Sequence, residues 1–327
     1  MTKNFPPWLE QYKTQIDNSS MHHAYLISGR EGIGKSMLAE DLSLNTLCHS
    51  EQRDLCGDCY SCKLNDINNH PDFHTLNVLP DKKFIGIGQI HQLRDKLYES
   101  AFLGKNKVIL VSALEKITLD GLNAFLKLLE EPPQNTYFFL TTDFLNSIPL
   151  TIQSRCLGIK VELPKLRESL DWLSDFPEDE SIQALKLSNF LPMVAKGFLE
   201  NNFLSLRENF IDEISSIIKE GRGITSTSEK WIKEEESLTI KLEWMSQILI
   251  DSIKFNASSK IEYLNSDTDN ISRYLGKNTK INKLHELLTQ TNQLWSIFSK
   301  ETNLRADYQL NCLFVDWERN LGVSKKI

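Results

Sequence analysis

Residues 29–36 read Gly-Arg-Glu-Gly-Ile-Gly-Lys-Ser, and the predicted architecture of the first half of the chain follows from them. It fits G-x-x-x-x-G-K-[ST], the pattern of a P-loop, in which glycines allow backbone N–H groups to turn toward phosphate oxygens. Such a loop needs a strand before it and a helix after it. Residues 24–28 predict a buried strand, and the apolar spacing within 36–48 predicts a helix.

We therefore predict a nucleotide-binding loop, with ATP and Mg²⁺ as its candidate ligands. In this pattern Lys35 places a positive charge at the outer phosphates, and Ser36 offers its hydroxyl to Mg²⁺. Two alternatives stay open at this point: a chance match, and a loop that has kept its shape but lost its ligand. The predicted nucleotide-binding residues are Gly29, Gly32, Gly34, Lys35 and Ser36.

Strands and helices alternate as far as Pro164. Apolar runs predict strands, and 3.6-residue periodicity predicts helices between them. This alternation is typical of a doubly wound parallel α/β sheet with the P-loop at the carboxyl end of a strand. The predicted strands are 24–28, 71–79, 108–111, 137–142 and 159–163, and the predicted helices are 36–48, 87–98, 119–131 and a short turn within 148–156.

Beyond Pro164 only helical periodicity remains. Short apolar stretches predict a small helical domain, and longer amphipathic stretches predict an all-helical last third, whose apolar faces are most simply core. The short stretches are 166–173, 181–187 and 192–199, and the longer ones are 201–218, 238–253, 281–298 and 304–317.

Cys48, Cys56, Cys59 and Cys62 have the spacing C-x7-C-x2-C-x2-C. Two C-x-x-C steps let thiolates converge on one ion, and four sulfurs in a tetrahedral arrangement favour Zn²⁺. We predict a closed structural zinc site that folds a short insertion. A cluster of free thiols and a redox pair are the alternatives. His49 and His70 are spare candidate ligands, although four cysteines already complete the shell.

Composition limits the class of protein. The chain has 327 residues, is 40% hydrophobic and carries a formal net charge of -7. A protein that holds DNA over a broad surface is usually basic, so we expect it to act through protein partners or a local patch. The N-terminus lacks the apolar region of a signal peptide, and no run of about 18 apolar residues occurs. We therefore predict a cytoplasmic protein with no membrane partner.

A P-loop ATPase also needs carboxylates at the end of a neighbouring strand, to hold Mg²⁺ and to polarise the attacking water. The predicted strand 108–111 is followed by Ser112 and Ala113, which can do neither. Glu115 comes too late, and we expect it to be a solvated or helix-capping carboxylate. Nucleotide binding is therefore expected, and hydrolysis at this site is not.

Three motifs together resemble the bacterial sliding-clamp loader ATPase family, a branch of the AAA+ proteins. They are the cysteine insertion, the run Asn-Ala-Phe-Leu-Lys-Leu-Leu-Glu-Glu-Pro-Pro at residues 123–133, and Ser154-Arg155-Cys156. The resemblance covers the first 165 residues strongly and the remainder by its helical layout.

The resemblance implies three domains: an AAA+-like P-loop domain at 1–164 with a zinc module at 48–62, a small helical lid at 165–203, and a helical collar at 204–327. It also implies a five-subunit ring joined through the collars, with gamma/tau-type motor subunits and a delta-type subunit as partners. The sliding clamp and primed DNA are reached through the complex, which belongs to DNA polymerase III.

In that family the arginine of the Ser-Arg-Cys motif reaches ATP on the neighbouring subunit, so Arg155 is implied as an arginine finger. A surface salt bridge is the alternative. Glu130 and Glu131 are expected either near the same interface or at a solvated helix end. Motor subunits carry Asp-Glu in place of Ser112 and Ala113, and a lid arginine that residues 187–196 lack.

These departures favour a stator-like subunit that helps to load the clamp without hydrolysing ATP. A catalytically active ATPase subunit that uses Glu115 is the alternative. A zinc-dependent nucleic-acid module is a third hypothesis, which the acidic net charge disfavours.

Overall fold

A computed structural model describes residues 5–14, 16, 21–50, 55–80, 82–103, 106–201, 203–220, 224–257, 265–299 and 306–320. The chain divides into two compact units, which are described separately. The first comprises Met1–Ser181 with Phe190–Lys196, and the second comprises Ile182–Asn189 with Gly197–Ile327. The division into three domains at residues 164 and 203 stays a prediction, and its outer ends, 1–4 and 321–327, lie outside the described residues.

The first unit contains a five-stranded sheet in the order β2-β3-β4-β1-β5, and every pairing in it is parallel. The predicted parallel α/β sheet is therefore confirmed. Every residue of β1 and β3 is buried, as expected for strands that are covered on both faces. The strands are β1 (Ala24–Ser28), β2 (Phe73–Leu76), β3 (Lys107–Val111), β4 (Thr136–Thr142) and β5 (Leu157–Lys160).

Helices follow the strands of this unit. They are α1 (Glu10–Lys13), α2 (Lys35–Leu47), α3 (Tyr60–Asp66), α4 (Ile87–Leu97), α5 (Leu119–Glu130), α6 (Leu150–Gln153) and α7 (Leu166–Trp172), and α8 (Glu178–Leu187) and α9 (Pro192–Glu200) contribute residues to both units. Short 3-10 turns at Leu114–Lys116 and Leu145–Ser147 follow β3 and β4. These turns therefore lie at the carboxyl edge of the sheet, where β1 enters the P-loop.

The last strand differs from the sequence prediction. It ends at Lys160, whereas residues 159–163 were expected to form it. Lys160 pairs with Ser28, the last residue of β1, and the Val161 N–H donates to the Ser28 carbonyl at 2.8 Å. Because β1 then turns into the P-loop, β5 has no partner beyond that point.

Within its described residues the second unit contains helices joined by short turns and no strand. Its longer helices are α10 (Phe203–Glu220), α11 (Ile224–Lys233), α12 (Glu235–Ala257), α13 (Asp269–Asn278), α14 (Ile281–Ser299) and α15 (Ala306–Asn320). Four of these stretches were predicted, whereas α11 and α13 were not. Large aromatic side chains fill its core: Phe210, Trp231, Trp244, Phe314 and Trp317.

A buried cation lies in the same core. The Arg207 guanidinium is fully buried and donates to both carboxylate oxygens of Asp267, at 2.9 and 3.1 Å, while it lies over the rings of Phe210 and Trp244. This bidentate geometry compensates the buried charge, so Arg207 is a structural residue. Among the described residues, no helix has both the length and the apolar character to cross a membrane.

Candidate functional site

The P-loop leaves β1 and enters α2 through two glycines in left-handed conformations. Gly32 has φ of 77° and Gly34 has φ of 100°, conformations that glycine adopts at little cost. A Cβ atom at Gly32 would lie 2.5 Å from Cγ2 of Val194, so space as well as conformation requires glycine there. Gly29 begins the turn, and its N–H donates to the Thr142 carbonyl at 3.4 Å.

The same unit holds the loop from outside. The Trp8 indole N–H donates to the Ile33 carbonyl at 3.0 Å, and the Met193 N–H donates to the Gly32 carbonyl at 3.2 Å. Both acceptors are backbone groups within the P-loop. Contacts inside the chain therefore fix the shape of the loop.

Lys35 is the most enclosed polar residue of the motif. Its side chain is 6% exposed, and its ammonium donates to the Arg30 carbonyl at 2.7 Å and forms an ion pair with Asp143 at 2.6 Å. Ser36, in the first turn of α2, is exposed. Sequence reasoning missed Asp143, which directly follows β4.

The exit of β3 contains no carboxylate at its first two positions, which are Ser112 and Ala113. Ala113 adopts a left-handed conformation with φ of 59°, and its N–H donates to the Thr141 hydroxyl at 3.1 Å. Glu115 follows in the 3-10 turn. Its Oε1 accepts a hydrogen bond from the Asp143 N–H at 3.4 Å.

The other oxygen of Glu115, Oε2, is buried and has no hydrogen-bond partner among the residues that the structure describes. The expectation of a solvated or helix-capping carboxylate is therefore wrong. The turn after β3 directs this side chain toward the end of β4 instead of into solvent. Glu115 and Asp143 thus lie side by side, and Asp143 contacts the P-loop lysine.

The four cysteines of the insertion lie together, with their sulfurs within 4.8 Å of one another. Cys48 Sγ lies 3.5, 4.0 and 3.7 Å from the sulfurs of Cys56, Cys59 and Cys62, and Cys56 lies 3.9 Å from Cys62. Tetrahedral Zn²⁺ with Zn–S bonds of about 2.3 Å requires sulfur separations of about 3.8 Å. The donor set therefore fits a four-coordinate zinc ion.

Local backbone structure explains how the sulfurs converge. Cys48 is the C-cap of α2, Gly57 turns the chain with φ of 74°, and Cys59 is the N-cap of α3. Burial raises the pKa of the Cys59 thiol, but hydrogen bonds from the backbone N–H groups of His49 and Cys62, together with those from the thiols of Cys62 and Cys56, outweigh it and lower that pKa to about 6. A thiol with this pKa is poised to ligate as thiolate.

His70 lies outside this cluster. Its Nε2 is 2.8 Å from the Ser61 hydroxyl, which also donates to the Leu47 carbonyl, and its Nδ1 accepts the Asp72 N–H at 3.1 Å. The network assigns the tautomer with a proton on Nε2. Both ring nitrogens of His70 are thus used in hydrogen bonds, and the Ser61 hydroxyl links its Nε2 to the end of α2.

Arg155 lies in the turn between α6 and β5. Its Nη2 forms an ion pair with Glu130 at 2.7 Å, and its Nη1 donates to the Thr151 carbonyl at 2.7 Å. The Arg155 and Glu130 side chains are 34% and 42% exposed. Burial raises the pKa of the neighbouring Cys156 thiol to about 12, so this cysteine stays protonated and unreactive. Glu131 is exposed.

Five parallel strands in the order β2-β3-β4-β1-β5, with a P-loop after the inner strand β1 and a helical unit in the same chain, are the arrangement of an AAA+-type P-loop protein. A family model described as DNA polymerase III, delta subunit, matches residues 6–165, and one described as DNA polymerase III, delta subunit, C terminal, matches residues 201–318.

Curated relatives agree with the family models. DNA polymerase III subunit delta-prime of Buchnera aphidicola from Acyrthosiphon pisum is 30% identical over 327 residues, which cover 97% of this chain and 99% of the relative. The corresponding protein of Buchnera aphidicola from Schizaphis graminum is 28% identical over 327 residues, which cover 96% of this chain and 97% of the relative. The chain therefore belongs to the delta-prime subunit family of DNA polymerase III.

A more distant similarity links the chain to a second subunit. DNA polymerase III subunit tau/gamma of Haemophilus influenzae is 32% identical over 143 residues, which cover 43% of this chain and 20% of that protein. The chain is thus related to the tau/gamma proteins over part of its length.

Proposed function

We propose that this chain is a stator-like subunit of the DNA polymerase III clamp loader. In this role it donates Arg155 to ATP bound by a neighbouring tau/gamma-type subunit and does not hydrolyse ATP itself. Its partners are those motor subunits and a delta-type subunit in a cytoplasmic five-subunit ring, which brings it to the sliding clamp and primed DNA. The observation that carries the proposal is the guanidinium of Arg155, which is partly exposed and is held at the surface by an ion pair with Glu130.

The chemistry of this role follows from charge. A guanidinium placed against the γ-phosphate stabilises negative charge that develops during phosphoryl transfer. Because Arg155 and Glu130 are both more than one third exposed, their ion pair contributes only about 0–1 kcal/mol. Exchange of Glu130 for a neighbour's phosphate is therefore inexpensive.

Reconstitution of the loader with Arg155→Ala tests the proposal. We expect a fall in the ATPase activity stimulated by clamp and primed DNA, while the assembled complex keeps its subunit composition. Arg94→Ala is a matched control, since Arg94 is also an exposed arginine paired with a carboxylate, that of Asp95 at 3.0 Å. Unchanged stimulated ATPase activity in the Arg155→Ala variant would contradict the arginine-finger role.

We also propose that the cysteine cluster binds structural Zn²⁺, in which case Cys48, Cys56, Cys59 and Cys62 are its ligands. The sulfur separations support this assignment. The ion would supply cross-links between the end of α2 and α3. Elemental analysis of the full chain should give one zinc per molecule, and Cys59→Ser should lower that content and speed amide exchange in α3. A chain that is folded and free of zinc after preparation without chelators would contradict the assignment.

The P-loop itself is proposed to bind ATP with Mg²⁺ through Gly29, Gly32, Gly34, Lys35 and Ser36. One observation favours a second candidate function, an active ATPase in the same complex. Glu115 has a buried oxygen with no partner among the described residues and accepts a hydrogen bond from the Asp143 N–H, so it is a carboxylate candidate for polarising water near the P-loop. Glu115→Gln in the assembled loader decides between the two functions: a loss of turnover that matches Lys35→Ala favours the active enzyme, and unchanged turnover favours the stator.

A further inference from the structure

The ammonium of the P-loop lysine is already neutralised within the chain. In the described structure, Lys35 Nζ lies 2.6 Å from Asp143 Oδ1, and the lysine is 6% exposed while the carboxylate is 26% exposed. A phosphate bound in this loop would need the same ammonium. One buried cation therefore has two competing anionic partners, of which one is built into the fold.

Position makes Asp143 a persistent partner. It directly follows β4, whose Thr142 is paired with Ser28 at the base of the P-loop, and its own N–H is bonded to Glu115. Backbone pairing and the Glu115 contact thus fix the residue at the lysine. Glu115 also adds a second carboxylate beside it, which raises the negative potential that an incoming phosphate meets.

We infer that Asp143 is an internal competitor of nucleotide, which keeps the Lys35 ammonium occupied until a phosphate displaces it. This inference rests on the proposed nucleotide-binding role of the P-loop, and it adds a device that weakens that binding. The glycine backbone is held in shape by Trp8 and Met193, so the loop does not need to refold when the carboxylate leaves. Nucleotide binding then mainly requires that a phosphate replace the Asp143 carboxylate at the Lys35 ammonium.

Asp143→Asn tests the inference because it keeps the size of the side chain and one acceptor oxygen while it removes the negative charge. Binding of ATP and of ADP to the full-length chain is measured by calorimetry, first without Mg²⁺ and then with it. We expect affinity without Mg²⁺ to rise about tenfold or more, since the carboxylate no longer competes for a buried ammonium. Asp143→Ser is the second variant, in case the amide does not support the fold.

Asp41→Asn is the matched control. Asp41 lies on α2 and pairs with Lys13 at 3.0 Å, and both side chains are nearly as enclosed as Lys35. We expect this variant to leave nucleotide affinity unchanged. An equal gain from Asp41→Asn would show a general effect of net charge and would overturn the inference.

Two other outcomes would overturn it. Weaker binding of Asp143→Asn only in the presence of Mg²⁺ would make Asp143 a metal-binding residue instead of a competitor. No nucleotide binding by the wild type, Asp143→Asn and Asp143→Ser alike would remove the P-loop from the nucleotide-binding class. That last result leaves the Arg155 proposal intact, because Arg155 acts on nucleotide held by another subunit.

Discussion

Lys35 and Arg155 are both cations of the first unit, and each is paired with one carboxylate at about the same distance. The surroundings of the two pairs differ. Lys35 and Asp143 are 6% and 26% exposed, whereas Arg155 and Glu130 are 34% and 42% exposed. Coulombic attraction is screened little in the first pair and strongly in the second.

Because the two ion pairs differ in exposure, breaking each of them has a different energetic consequence. A buried cation that loses its partner keeps the cost of its own desolvation, so the Lys35 pair stabilises the P-loop as it stands. An exposed cation that loses its partner is rehydrated, so Arg155 can leave Glu130 for another anion at small cost. Burial thus suits the first pair to keeping the Lys35 ammonium occupied and the second to acting on a neighbouring molecule.

The largest expected effect comes from removing the exposed cation. Arg155→Ala should lower turnover at the neighbouring subunit's site by about 10³–10⁵-fold, as arginine fingers do where their effect is known. Single-turnover hydrolysis in the reconstituted loader measures the loss at that site separately from the other sites. The stability of the isolated chain should change by no more than about 1 kcal/mol, because the pair that is lost is at the surface.

A second variant, Arg155→Lys, tests whether the positive charge alone is sufficient. A lysine keeps the positive charge but loses the planar fork of donors, so it should recover only part of the turnover. Full activity in the alanine variant, or a stability loss that accounts for the whole effect, would place Arg155 among ordinary surface residues.

The next largest effect comes from removing the anion of the buried pair. Of the partners that the described residues provide for the Lys35 ammonium, Asp143→Ala leaves the Arg30 carbonyl. Breaking a buried pair on one side costs about 3–5 kcal/mol, and the partial exposure of Asp143 places the expected loss at the lower end of that range. Urea denaturation, followed through the unfolding transition of the first unit, measures this loss of stability.

A double variant separates loss of the pair from loss of packing. Lys35→Met combined with Asp143→Ala removes the uncompensated charge and should lose less stability than Asp143→Ala alone. A single-variant loss below about 1 kcal/mol would mean that the pair behaves like a surface contact, and the contrast with Arg155 would disappear.

Local sequence patterns predicted much of the fold. They did not predict the contacts that Asp143 and Glu115 make at the P-loop. The strand before the P-loop, the helix after it and the four-cysteine cluster follow from periodicity and spacing within a few residues. Asp143 and Glu115 reach the P-loop only because β4 pairs with β1 and β3 with β4, and no local signal marks that register.

Helices α3, α11 and α13 were not predicted from the sequence, because they too depend on contacts with other parts of the chain. The short helix α3 depends on the cysteine cluster, with Cys59 as its N-cap, and has few apolar residues of its own. Helices α11 and α13 have ten residues each, and although their few apolar residues share one face, such short polar-rich stretches do not stand out as periodic in the sequence. They are stabilised by packing against the aromatic core of the second unit, around Trp231 and Leu275.

The smallest expected effect comes from removing the anion of the exposed pair. Glu130→Gln keeps the shape of the side chain and one acceptor for Arg155, so stability should change by less than about 1 kcal/mol. If Glu130 only competes with the neighbour's phosphate for Arg155, stimulated ATPase should stay the same or rise slightly. If Glu130 instead aims the guanidinium, the ATPase should fall while stability stays constant, and addition of Arg155→Ala should cause no further loss. Parallel measurement of both quantities on the single and double variants therefore decides whether the exposed pair is a passive resting contact or a positioning one.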